Sequence, residues 1–96
     1  MSTYFMFGKY SSQALKGISN DRTKKGNALI KKLGGSVKAM YVLLGQFDLV
    51  LIVEFPGTEM IVAASVGLTK LTGINFLTSP ASEVDTFDKL VKKTHL

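Results

Sequence analysis

Val37-Lys38-Ala39-Met40-Tyr41-Val42-Leu43-Leu44-Gly45-Gln46-Phe47-Asp48-Leu49-Val50-Leu51-Ile52-Val53-Glu54-Phe55 is the stretch that decides the fold. It reads as two β-strands joined at Gly45-Gln46-Phe47-Asp48, with side chains alternating between the faces of a sheet. Closing the hairpin with Leu44 opposite Leu49 puts Met40, Val42, Leu44, Leu49, Leu51 and Val53 on one face. The other face then carries Val37, Ala39, Tyr41, Leu43, Val50, Ile52 and Glu54. Neither is a solvent face. A chain of 96 residues has few other elements with which to cover both, so one face waits for a second copy of the protein.

Outward from the hairpin, residues 3–10 are rich in aromatics and form an opening strand, again apolar on both faces. Ser11 and Ser12 are capping residues for a helix whose apolar seam runs through Leu15, Ile18, Leu29 and Leu33. Gly17 with Ser19-Asn20 weakens its first turns, so a break is expected before Asp21, and residues 21–33 are its firm part. Gly34-Gly35 ends it. Beyond the hairpin, Pro56-Gly57-Thr58 closes the second strand, and Thr58 caps a helix over 59–72. Ile61, Ala64, Leu68 and Leu71 form its buried stripe, while Met60, Ala63, Val66 and Gly67 leave much of the remainder apolar, the pattern of a helix buried on more than one side. Gly73 stops it, and residues 74–79 form a fourth strand ended by Pro80. Ser82-Glu83-Val84-Asp85 resembles a capping box. Phe87, Leu90 and Val91 make a narrow stripe on a terminal helix whose acids at the start and Lys92 and Lys93 at the end suit the helix dipole. This tail is expected to dock. The order βαββαβ plus a terminal helix is the ferredoxin-like α+β fold: a four-stranded antiparallel sheet with two helices on one face, in a single domain over 1–96.

Hydrophobic residues are 46% and charged residues 20% of the chain, the balance of a folded globule rather than a disordered or fibrous one. The longest apolar runs, 40–44 and 49–53, fall far short of the roughly 20 residues that span a bilayer. No basic, apolar, small-residue leader pattern opens the chain, since Lys9 follows Phe5 and Phe7 within a strand; no membrane association and a cytoplasmic location are expected. There is no cysteine, which excludes disulfides, thiolate nucleophiles and thiolate metal sites. Twelve Lys and Arg against seven acids give +5, a sign that raises nucleic acid as a partner. The cations are dispersed over helix surfaces, however: Lys24, Lys25, Lys31, Lys32, Lys89, Lys92 and Lys93. An RNA-reading sheet of this topology needs aromatics where 48–53 has aliphatics, so nucleic acid is not expected. The chain lacks phosphate-loop, zinc-protease and nucleophile-elbow motifs. Its one histidine, His95 in the tail, offers no fixed base. Neither a cofactor nor a metal is expected.

About six exposed aliphatics on the uncovered sheet face would match the ~300–600 Å² limit of ordinary monomer patches, and burying each favours association by ~1.5–3 kcal/mol before costs. A homodimer or higher homo-oligomer follows, with two sheets face to face as a dimeric α/β barrel.

Several residues in this frame form a recognisable set: Gly8-Lys9-Tyr10, Leu33-Gly34-Gly35, Ala39-Met40-Tyr41, Gly45-x-Phe47-Asp48 and Ile52-Val53-Glu54. Together they resemble the GYD-domain family over roughly 3–87, a family of small bacterial and archaeal proteins placed with the dimeric α/β barrels and without an established general function. One departure is plain. Phe47 stands where the family motif carries tyrosine, so a role that needs the phenol is in question. The motif is also similar to the Gly-x-Tyr-Asp turn of the amino-acid-sensing domains of Lrp/AsnC-type regulators. The resemblance implies an effector site near this turn, at a subunit interface.

The candidate site residues are Gly45, Asp48, Arg22, Tyr10, Tyr41 and Glu54. Gly45 and Asp48 either close the hairpin or, with free turn amides, hold a small zwitterionic ligand. The step Ile18, Arg22, Gly26, Leu29, Leu33 sets a guanidinium in the apolar seam, where it needs a carboxylate, an anionic ligand or a route to the edge. Gly26 one turn later leaves space for such a partner. Glu54 interrupts an apolar strand on the same face as Tyr41; it pairs with a cation at the strand end or, if desolvated, becomes a general acid or base. Tyr10 ends the first strand, near a cleft or in the core. Two functions remain: a small-molecule module for amino acids or small carboxylates, or a cofactor-independent monooxygenase or isomerase acting through Arg22, Tyr41 and Glu54. An assembly scaffold is the third possibility.

Overall fold

The computed structural model describes residues 1–94, so His95 lies outside the described residues. Its elements in chain order are β1 (Ser2–Tyr10), α1 (Ser12–Lys16), α2 (Asn20–Lys32), β2 (Ser36–Val42), β3 (Leu49–Phe55), α3 (Thr58–Thr72), β4 (Ile74–Ala81) and α4 (Val84–Lys93). The strands form one antiparallel sheet in the order β2-β3-β1-β4, the ferredoxin-like arrangement expected, with β1 and β3 at its centre.

Tyr4, Met6, Leu51, Val53 and Phe55 point to the helices and pack with Ile30 of α2 and Ile61, Ala64 and Leu68 of α3; all are at most 6% exposed. Gly35 lets the chain leave α2 over this core, because a Cβ there would stand 2.5 Å from the Phe55 ring. The opposite face carries Phe5 and Phe7 of β1, Val50 and Ile52 of β3, and Leu77 of β4, in register across the strands. Phe47 reaches the same face from the hairpin, its ring 5.2 Å from that of Phe7. The core that α2 and α3 form with the sheet lies on the other side.

Several details differ from expectation. The hairpin pairs Val42, not Leu44, with Leu49. Leu43 N–H donates to Asp48 C=O at 2.8 Å, and Leu44 stands in solvent. The slip is by two residues, so it leaves the face assignment intact. A bulge between Val37 and Ala39 does change one residue: Val37 pairs with Val53 and packs against the core rather than standing on the open face. The break at 17–19 separates α1 from α2 as expected, but Leu15 and Ile18 are exposed, and Ala14, Gly26 and Ile30 carry the burial. The caps also differ. Gly57 rather than Thr58 is the N-cap of α3, and Glu83 caps α4 without a side-chain bond, so the expected capping box does not form. Pro80 does not end β4 but sits within it, which an edge strand tolerates better than a central one.

The tail does not dock. Every residue of α4 is exposed, including Val84, Phe87, Leu90 and Val91. The radius of gyration is 14.9 Å, against ~12 Å for a compact chain of this length, and the longest axis is 53 Å. No helix of the described residues is long and apolar enough to cross a membrane.

Candidate functional site

Where β1 ends, the sheet and α2 part to leave a cleft of about 220 Å³. Its floor is apolar, from Met40, Leu49, Leu51, Leu68, Ile74 and Phe76. Alternation along β1 sends Tyr10 to the helix side with Met6 and Gly8. Gly8 matters here because a Cβ would lie 2.9 Å from Ile74 Cγ2 and 3.0 Å from Phe76 Cε1, so glycine makes room for the wall of the cleft.

Arg22 comes from the first turn of α2, which Ser19 caps by accepting from the Arg22 N–H at 3.0 Å. Its guanidinium donates to the Ala14 carbonyl at the end of α1 and lies 5.8 Å from the centre of the Tyr10 ring, a cation–π arrangement. Among the described residues no carboxylate lies within ion-pair reach of it: the acids that pair do so with Lys9, Lys25 and Lys38. The seam position expected for Arg22 is therefore the observed one, half-buried and in step with the buried Gly26 and Ile30, and an internal acid does not neutralise it. Gly26 itself is filled against Leu68 of α3, whose Cδ2 would touch a Cβ at 3.5 Å.

Tyr41 borders the same cleft between Met40 and Val42. Its register opposite Val50 assigns its largely exposed ring to the open face instead. Asp48 and Gly45 are not part of the lining. Asp48 accepts from Tyr10 N–H through Oδ2 at 2.9 Å, donates from its own N–H to Gly8 C=O at 2.9 Å, and has Lys9 Nζ at 3.9 Å. It thus ties the hairpin to the end of β1. Gly45 takes φ of 110° at the exposed tip, where an added Cβ would meet nothing within 4 Å. Glu54 lies away from the cleft and pairs with Lys38 at 3.6 Å. Arg22 and Tyr10 are brought together, Asp48 joins them through the backbone, and Glu54 stays apart.

Four polar residues of the lining were not anticipated: Thr72 at the end of α3, and Ser19, Thr23 and Asn27 along α2 and its cap. The four-residue spacing of Ser19, Thr23 and Asn27, parallel to the step from Arg22 to Gly26, is the signal that marks those three as one flank. Among the described residues no group of three His, Cys, Asp or Glu is placed to hold a metal ion.

This sheet order, with helices on one face and an apolar open face, defines the class: a ferredoxin-like α+β domain. The GYD domain family matches residues 4–91, nearly the whole chain, and the chain belongs to that family. Phe47 stands where the family motif has tyrosine, and its ring packs beside that of Phe7. Among solved structures, the leucine response regulatory protein LrpA of Mycobacterium tuberculosis is similar, with a TM-score of 0.58 at 8% identity over 86% of this chain. The match takes in 51% of LrpA, so this chain spans about half of that protein, and the likeness is one of fold. No curated protein sequence matches.

Proposed function

We propose that the protein is a homo-oligomeric small-molecule binding or regulatory module of the cytoplasm, and that the cleft beside Arg22 takes an amino acid or another small carboxylate. The carrying observation is a half-buried guanidinium at the mouth of an apolar cleft with no acid within reach among the described residues. A carboxylate would complete it, because the planar fork of arginine binds two oxygens at once and a charge-assisted bond is about twice as strong as a neutral one. Tyr10 holds the guanidinium from one side, and Ser19, Thr23 and Asn27 supply donors and acceptors for a second polar group of the ligand. The apolar floor suits an aliphatic or small aromatic body. The fold shared with a leucine response regulatory protein agrees with such a role. The enzymatic alternative would need Glu54 beside Arg22 and Tyr41, and its pairing with Lys38 gives that reading no support.

Assembly belongs to the same proposal. The open face with Phe5, Phe7, Phe47, Ile52 and Leu77, and the uncovered stripe of α4, are surfaces that a second copy would bury.

Thermal unfolding against a panel of amino acids and short carboxylates tests the binding. At least one should raise the melting temperature, and Arg22→Ala should abolish the rise while Arg22→Lys retains only part of it. A panel with no rise for the native chain, or a rise unaffected by Arg22→Ala, would refute the assignment.

A further inference from the structure

Phe76 walls a second and larger cleft as well, about 490 Å³, lying between α3 and the edge strand β4. Ile61, Val62 and Val66 of α3 and Phe76 supply its apolar surface, with Ser65 and Thr78 among its hydroxyls. No lysine, arginine, histidine, aspartate or glutamate of the described residues lines it. Val62 and Val66 are 57% and 52% exposed, unusual values for valines beside a sheet. Thr78 lies opposite Met6 in the register, on the helix side, and its Oγ1 is buried with no hydrogen-bond partner, the one such side-chain atom among the described residues.

A desolvated hydroxyl without a partner is costly, and native structures satisfy nearly all of them. We propose that this cleft is a second binding site, for an uncharged molecule with an apolar body and one carbonyl or hydroxyl group whose oxygen pairs with the Thr78 hydroxyl. The volume lies within the ~300–1,000 Å³ of small-molecule sites. The lack of an ionised side chain in the lining selects against charged ligands, since an ion buried there would lose its hydration and gain no counter-charge. The cleft beside Arg22 is chosen by the opposite rule. The two sites thus sort ligands by charge across a shared phenylalanine, and this second assignment stands whether or not a carboxylate binds at Arg22.

Benzyl alcohol and benzoate, alike in shape and different in charge, serve as probes of the full chain by amide NMR. Benzyl alcohol should produce saturable shifts at Val62, Val66 and Thr78, and benzoate at equal concentration should leave those amides in place. Thr78→Val should weaken benzyl alcohol binding about fivefold, the factor for one ordinary hydrogen bond. Val62→Trp, a change at an exposed position that fills the mouth, should abolish it. Arg22→Ala should leave it unaltered, which separates this outcome from any failure at the first cleft. The proposal is overturned by any of three results: shifts centred on Tyr10 and Arg22, binding indifferent to Thr78→Val and Val62→Trp, or no saturable shift. It is overturned equally if Val62 and Val66 shift with protein concentration in the absence of probe, which would give the cleft to a second copy.

Discussion

Asp48 shows how one side chain can be read two ways until its partners are known. In sequence it closes a turn that carries a family motif, so it counts equally as a hairpin residue and as a ligand for a zwitterion. In the structure its carboxylate accepts from the Tyr10 N–H at 2.9 Å and stands 3.9 Å from Lys9 Nζ. These contacts give it a structural role, since they fix the end of β1 and with it the ring on which Arg22 rests. Asp48→Ala removes an acceptor and leaves a part-buried N–H unpaired, at a cost of ~1–2 kcal/mol. Urea denaturation should report that loss as a lower midpoint at unchanged slope. Ligand affinity at the Arg22 cleft should fall much less than in Arg22→Ala, because Asp48 does not line the cleft. Equal losses of affinity in the two variants would make Asp48 a ligand contact. Arg22 was the more legible of the two, since a lone cation in step with Gly26 and the buried face of α2 has few reasons to be there. What the pattern of residues left open was its partner, and the carbonyl of Ala14 that holds it comes from a separate helix across a break.

At the scale of elements, Leu71 of α3 is 42% exposed and Met60, Ala63 and Val66 are exposed with it, so that helix is buried on one side and not on the several its apolar pattern suggested. Apolar periodicity was sufficient for β1 and β3, whose inward side chains include Tyr4, Met6, Leu51, Val53 and Phe55. It was insufficient wherever termination depends on a few hydrogen bonds. β2 stops at Val42 rather than Leu44, with Leu43 N–H donating to Asp48 C=O just beyond its last pair, and the bulge after Val37 answers to the twist of an edge strand, which residue type does not encode. α4 presents a different case. Its stripe was visible in Phe87, Leu90 and Val91, but docking on its own chain was the wrong consequence to draw, for the helix stands off the body with that stripe in water. Ten residues lie below the ~12–15 at which an isolated helix holds in water, so a surface contributed by a second copy would stabilise α4. Hydrogen exchange should therefore show α4 amides weakly protected in dilute protein and increasingly protected as concentration rises. Protection that is strong and independent of concentration would mean that its own chain covers it.

The whole molecule is a sheet with one finished face. Helices α2 and α3 bury Met6, Val53 and Phe55 completely, while on the reverse Phe5, Phe7, Phe47, Ile52 and Leu77 remain without a covering layer among the described residues. Each such side chain that a partner buries contributes ~1.5–3 kcal/mol, and association costs ~4–15 kcal/mol in lost motion, so a handful of them on each subunit is enough to hold a dimer. Leu77 is the sensitive place to test this. It is 60% exposed in the single subunit and neighbours Phe7 across β1 and β4, so Leu77→Lys should leave the isolated fold intact. Buried against a second sheet, the same lysine would lose its hydration without a free acid to pair with, since Asp48 and Glu54 are engaged by Lys9 and Lys38, at a cost of several kcal/mol. Sedimentation equilibrium should give the native chain a mass of at least twice 10.4 kDa and the variant a mass near that of one chain at the same concentration. If Leu77→Lys sediments as the native assembly does, the open face is not where the copies meet, and the surfaces on α4 and α3 become the contacts to examine.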